Sequence, residues 1–311
     1  MSYLKSSLVL IINLLSLFVF FDYSLAIHEK AGTMGANFLK IGMSAKATSM
    51  ANSFTAIYGD INTLNYNPAG LSQIKNKQVY TMYNMWFQDI KHGYLALAIP
   101  LSFRDVMGLS FNYLKIDEIR KTNDTYPSGD LSLGTFNASD LAITLSNAFD
   151  INEHLSLGIN LKVIKEKLAN YKTSNLLSGD LGALIKLPFQ DLTMGFCILN
   201  MGQKIKFEQE KDSLPLTYKI GISSKLFKKN LLVALEINKP TDNELNYRLG
   251  TEYTIAKTLA LRAGYLSGPE EVRNNITYGL GLKLFKVALD YAFTPFDDLG
   301  DTHKISLTTS F

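Results

Sequence analysis

From Val79 to the C-terminus, apolar and polar residues alternate with a period of two in runs of about ten residues. That pattern leaves few folds open, because successive strand side chains point to opposite faces and each run acquires one apolar face. The clearest run is 245–255, where Leu245, Tyr247, Leu249, Tyr253 and Ile255 alternate with Asn246, Arg248, Gly250, Glu252 and Thr254. In 276–284, Ile276, Tyr278, Leu280, Leu282 and Leu284 alternate with Thr277, Gly279, Gly281 and Lys283; in 287–293, Val287, Leu289, Tyr291 and Phe293 alternate with Ala288, Asp290 and Ala292.

A soluble half-buried sheet gives the same alternation, so the connections decide. The expected strands are 78–88, 91–101, 105–119, 135–149, 154–167, 176–188, 191–206, 213–227, 230–239, 244–255, 259–267, 274–284, 287–295 and 303–311. Tight junctions at 102–104, 150–153, 189–190, 228–229, 256–258 and 285–286 alternate with longer polar ones at 121–134, 168–175, 208–212, 240–243, 268–273 and 296–302. The first link, near Asp89, is short where a long loop is due. Short turns at one end and longer loops at the other are the outer-membrane pattern. The expectation is an all-β transmembrane β-barrel of about 14 antiparallel strands over 78–311, monomeric, with both termini periplasmic.

Charge sidedness follows from that fold. A charge facing lipid at the midplane costs about 2–4 kcal/mol, so Arg248, Glu252, Arg262, Lys283 and Asp290 are expected in the lumen. Pairing across the 256–258 turn sets Glu252 opposite Arg262. The cluster anchors an internal plug or a ligand head group, or is simply the polar interior that any such barrel has.

The first 77 residues read differently. Lys5, the apolar run Leu8 to Phe21 and Ser24-Leu25-Ala26 have the order of a secretory leader, 1–26, with Ile27 starting the mature chain. Its apolar run is shorter than the roughly 20 residues a spanning helix needs. Residues 27–77 then form a small helical hatch. Ser44 is the expected N-cap of a helix from Ala45 to Ile57, Asp60 caps a short second turn, and Asn67 caps a third with Pro68 at its first position. Gly70 is expected to permit a left-handed exit. The small residues Ala45, Ala47, Ser49, Ala51, Ser53 and Ala56 let this backbone approach other backbone closely, which suits a confined lumen. Forty such residues around Gly32 to Leu71 cannot build a core of their own.

The Phe38-Leu-Lys-Ile-Gly run, the Ala-rich segment and Asn67-Pro68-Ala69-Gly70-Leu71 together resemble the N-terminus of the PorV/PorQ family, most clearly over about residues 31 to 100. That family is similar to FadL-type outer-membrane transporters, fourteen-stranded barrels plugged by an N-terminal hatch. The resemblance implies a channel, transporter or binder of small hydrophobic compounds, or alternatively a non-transporting accessory of a type IX-like secretion system that holds cargo or partner proteins. The longest loop, 121–134, is polar and short, unlike a ligand-capturing loop.

The last strand puts Ile305, Leu307, Thr309 and Phe311 on one face. A terminal aromatic on such a strand resembles the signal read by the outer-membrane assembly machinery, so Phe311 is the expected assembly signal. Outer-membrane lipid is the other expected partner. A net charge of +3, scattered along the chain, gives no reason to expect nucleic acid. The single cysteine, Cys197, excludes an intrachain disulfide. His28, His92, His154 and His303 lack metal-ligand spacing, and no nucleophile elbow, phosphate loop or dinucleotide fingerprint occurs. No enzyme activity, metal or cofactor is expected.

Overall fold

The computed structural model describes residues 29–173, 175–188, 191–207, 210–267, 275–296 and 300–311. The expected leader lies outside these residues, as do the connection at 268–273 and the middle of the one at 296–302. Fourteen strands of eight residues or more run in chain order: β1 Gln78–Met85, β2 Lys91–Pro100, β3 Asp105–Arg120, β4 Thr135–Asp150, β5 Leu155–Leu168, β6 Leu176–Lys186 and β7 Leu192–Gly202. The second half comprises β8 Thr217–Leu226, β9 Leu231–Pro240, β10 Asn246–Ile255, β11 Leu259–Ser267, β12 Ile276–Leu284, β13 Val287–Pro295 and β14 Asp301–Ser310. Each pairs antiparallel with its chain neighbours, and β1 pairs with β14 from Gln78↔Ser310 to Met85↔His303, so the sheet closes. Closure leaves no edge strand and satisfies the backbone within the wall, the condition for crossing lipid.

The outward face is apolar. Leu161 is 61% exposed and Leu280 51%, while their inward neighbours Lys162 and Gly281 are buried. In water so large an apolar surface would aggregate; against lipid it is the favourable face.

Strand ends differ from expectation where a local residue forbids pairing. The seventh strand carries a bulge at Asn200, which takes a left-handed φ of 60° and turns its N–H to the Asp180 carboxylate at 2.8 Å; pairing resumes at Met201 and ends at Gly202. The eighth begins only at Thr217, just after Pro215, which has no N–H to give. A bulge at Glu118 (φ 56°) lies between the paired stretches of β3 and β4, which run to Arg120 and Thr135. The short first link is a single 3-10 turn, Phe87–Asp89.

Inside the ring lie four short helical pieces: Asn37–Lys40, Ala45–Thr48, Ile61–Asn65 and Pro68–Gln73. Ser44 caps the second through Ala47 N–H, Asp60 the third through Asn62 N–H, and Asn67 the fourth through Ala69 N–H. The expected helix from Ala45 to Ile57 does not form beyond Thr48. Ala51 and Asn52 adopt φ of 53° and 58°, and N–H groups around them reach the wall: that of Ala51 is shared between Thr48 O and Thr277 Oγ1, each at 3.1 Å, and those of Phe54 and Thr55 go to Glu236. Gly70 is not a left-handed exit either. It lies within the fourth piece, where a Cβ would stand 2.7 Å from both Ile57 O and Thr63 Cβ.

The wall accommodates this insert through inward glycines. A Cβ on Gly158 of β5 would fall 2.2 Å from Ala69 N, and one on Gly195 of β7 would fall 2.1 Å from Thr55 O. Gly250, Gly264 and Gly279 meet Met50, Ala51 and Ser49 in the same way on β10 to β12. The insert therefore runs along the inner wall with backbone against backbone.

Its path crosses the barrel. Gly35 donates to Ser213 O, and Lys40 pairs with Asp242, both in long loops. Gln73 then reaches Asp150 at the opposite end, where Lys77 O accepts from Phe311 N–H. Residues 35–40 thus lie at the long-loop end and Phe311 at the short-turn end.

Candidate functional site: the lumen and its plug

Glu236 on β9 is the principal joint between wall and insert. The alternation of β9 turns it inward, with its side chain fully buried. One carboxylate oxygen accepts both Phe54 and Thr55 N–H at 3.0 Å. Lys219 of β8 lies 3.0 Å from the other oxygen, and Arg248, its ladder partner on β10, 3.7 Å away. A buried carboxylate is retained at low cost only when paired and hydrogen-bonded; here one oxygen takes both N–H groups and the other is held by its ion pairs alone.

A second joint lies nearer the short-turn end. Arg262 donates to Glu252 at 2.6 Å and to Asp290 at 2.7 Å, and Glu252 is its direct cross-strand partner. Lys46 of the insert extends the chain of charges, 3.0 Å from Asp60 and 3.7 Å from Glu252. Burial opposes the charge on Asp60, but Lys46 and the Asn62 N–H together hold its carboxyl below the ordinary value. Burial likewise works against the Lys46 ammonium, yet Glu252 and Asp60 raise it above the ordinary lysine value.

A third set is centred on Asp180, which takes Lys162 at 2.8 Å and Asn160 at 2.6 Å; Asn160 also donates to Leu64 O of the insert at 2.8 Å. Lys304 of β14 donates to Gly42 O and Thr48 Oγ1. Asn67, the first residue of the Asn-Pro-Ala-Gly segment, donates to Thr55 O at 2.7 Å and to Ala183 O on β6 at 3.1 Å. Pro68 and Ala69 sit against Gly158 and Gly182, where a side chain on the wall would collide.

The five charges expected together separate into three places. Glu252, Arg262 and Asp290 meet; Arg248 belongs with Glu236; Lys283 is exposed, lining the mouth at the short-turn end. Reading the sequence missed Glu236, Lys219, Lys162 and Asp180. Each is an isolated charge among inward small or polar residues, which is the signal that could have found them. Phe311 ends its strand exposed at 57%, on the same outward face as Ile305 and Leu307.

Between these joints the lumen changes character along its axis. At the long-loop end Phe38 of the insert packs with Leu114, Ile164, Leu176, Ile205 and Leu214 in an apolar cluster. Beside it, a small cavity of about 140 Å³ is lined by Leu39, Ile41 and Met43 of the insert together with Leu199, Lys219 and Arg248 of the wall, among others. At the short-turn end a larger cavity of about 600 Å³ opens below the insert. Among the described residues no group of three His, Cys, Asp or Glu is gathered for a metal ion.

No family model matches this chain, and no curated protein does. Solved structures do match along nearly their whole length. The toluene transporter TodX of Pseudomonas putida superposes with a TM-score of 0.62 at 11% identity, covering 86% of this chain and 98% of its own. A FadL homologue of Pseudomonas aeruginosa gives 0.61 at 13% identity, with 90% and 99% covered. The chain has the fold of the FadL/TodX-like fourteen-stranded outer-membrane β-barrels, with short helical segments at its N-terminus.

Proposed function

We propose that this protein is an outer-membrane channel or binder for small hydrophobic compounds, closed at rest by residues 32–71 acting as a plug. The observation that carries the reading is the apolar cluster at the long-loop end. Most inward strand positions are small or polar, but here Leu114, Ile164 and Leu176 turn apolar side chains into the lumen against Phe38, as Tyr80, Met82 and Tyr94 do against Leu64 and Leu71 in a second cluster. An apolar lining favours an apolar solute, and a few polar groups around it suffice to orient one. In this reading residues 1–26 are a cleaved leader, 27–77 the hatch and 78–311 the barrel. The long loops face outward, and Phe311 lies at the periplasmic end.

The test uses toluene as probe, with saturable uptake into cells and ligand-dependent thermal stabilisation of purified protein as readouts. Both should occur in wild type and be lost in Phe38→Asp. Absence of both in wild type ends the transport reading.

The resemblance to PorV/PorQ proteins supports a second reading, a secretion accessory that holds protein partners and transports nothing. Its supporting observation is the set of charged side chains that tie the insert to the wall: Glu236 accepting from Phe54 and Thr55 N–H, Lys304 donating to Gly42 O and Thr48 Oγ1, and Lys40 and Lys46 facing Asp242 and Glu252. On the same preparation, capture of a secreted partner that is lost on replacing 121–134, with no response to toluene, selects this reading.

A further inference from the structure

The vestibule at the short-turn end has a charge balance that neither reading of the plug uses. Its wall is built from β10 to β14 and its roof from Lys46, Gly59, Asp60 and Asn62. Lys228 and Lys229 enter it from the turn between β8 and β9, Lys257 from that between β10 and β11, and Lys286 from that between β12 and β13. Lys283 comes from β12 itself, on the face that carries Gly279 and Gly281 and so points to the lumen.

Three carboxylates also line the cavity, and all three are already engaged. Asp60, Glu252 and Asp290 each stand within 2.6–3.7 Å of Lys46 or Arg262. Lys229 pairs with Asp191 at 3.2 Å. Lys228, Lys257, Lys283 and Lys286 have no acidic partner among the described residues. Lys46 and Arg262 together serve three carboxylates, so these four lysines leave a net excess of three positive charges around one cleft, which gives it a positive potential. Lysine is a compact point charge with three donors, suited to phosphate or carboxylate oxygens from several directions. The cavity, about 600 Å³, is in the size range of small-molecule sites rather than of a single ion.

We propose that this vestibule binds a small polyanion, a molecule carrying several phosphate or carboxylate groups. The shared chemistry has two sources, a free solute or the head group of an anionic lipid. The site is separate from the apolar cluster, which lies beyond the plug at the other end of the lumen.

Inorganic tripolyphosphate is the probe, titrated calorimetrically into the full mature chain in detergent. Saturable binding near one per chain is expected, at least tenfold weaker in Lys257→Gln/Lys283→Gln/Lys286→Gln. A control, Lys165→Gln/Lys167→Gln/Lys172→Gln, removes the same charge far from the vestibule and should leave affinity unchanged. No binding to wild type, or equal weakening in both variants, overturns the proposal. Heat-modifiable mobility reports whether each variant folds; if the triple variant does not, Lys283→Gln alone, at an exposed position, must still weaken binding. Repeating the titration in nanodiscs distinguishes the sources. Competition by phosphatidylglycerol but not phosphatidylcholine assigns the head group, and its absence assigns the free solute; both support the site.

Discussion

Glu236 offers the sharpest test of how the plug is held. Replacing it by Ala removes the buried carboxylate oxygen that accepts from the Phe54 and Thr55 N–H groups. It also strands Lys219, whose side chain is only 7% exposed. Hydrogen bonds to a charged group contribute about 1.5–3 kcal/mol each, and breaking a buried pair on one side costs about 3–5 kcal/mol. These effects overlap, so about 3–5 kcal/mol is the expected loss. If it falls on the closed arrangement, the open-to-closed ratio rises by roughly a hundredfold to a few thousandfold. The native thiol reports it directly. Cys197 is buried, its Sγ 3.1 Å from Tyr66 O and 4.0 Å from Thr55 Oγ1, so displacing the plug uncovers it. A bulky water-soluble maleimide should leave wild type unlabelled and label Glu236→Ala rapidly. Glu244→Gln is the control, since its 3.8 Å pair with Lys239 is more than 40% exposed on both sides and contributes at most about 1 kcal/mol. Equal labelling of wild type and Glu236→Ala would refute the claim that this carboxylate holds the plug.

Arg262→Met should destabilise the barrel by about 3–5 kcal/mol in denaturant unfolding, because Glu252 and Asp290 keep their charges without it; adding Glu252→Gln and Asp290→Asn should restore most of the loss. The Lys46–Asp60 pair predicts a pH dependence of conductance. Asp60 has a lowered carboxyl value, so its contribution is complete above the ordinary 3.8 and is lost as pH falls through the lowered value. Lys46 has a raised value, so its contribution is complete below 10.5 and is lost only on going above it. Conductance in planar bilayers should therefore stay low and flat from about pH 5 to 9 and rise only in stronger acid. Deleting Phe311 should leave export intact and lower the yield of heat-modifiable barrel in the membrane; unchanged yield removes its role as a signal.

The barrel was legible in the sequence because its causes are local. Alternation of Leu280, Leu282 and Leu284 with Gly281 and Lys283 fixes a face, and the 256–258 turn fixes the register that joins Glu252 to Arg262. The interior of the plug was not legible, because its causes are distant in the chain. Nothing near Ala51 and Asn52 announces that a glutamate on β9 will take the Phe54 and Thr55 N–H groups, or that a threonine on β12 will share that of Ala51. The inward glycines have the same origin. Gly158 or Gly195 alone reads as a weak strand residue, and its meaning appears only with the backbone that fills its place. Arg248 stood in plain view, yet its partner Glu236 is paired through a polar loop rather than a tight turn, so the register was not fixed in advance.

The route of residues 35–77 through the lumen constrains the order in which the molecule can be made. The chain passes from the long-loop end to the short-turn end before its first strand begins, and that strand is one side of the seam with β14. A ring already sealed would have to be threaded by a segment whose Lys40, Lys46 and Asn67 find their bonds only inside it. Zipping β1 to β14 around a segment already seated avoids the threading, which makes the seam the final step of assembly and the inserted segment a template on which the last strands register.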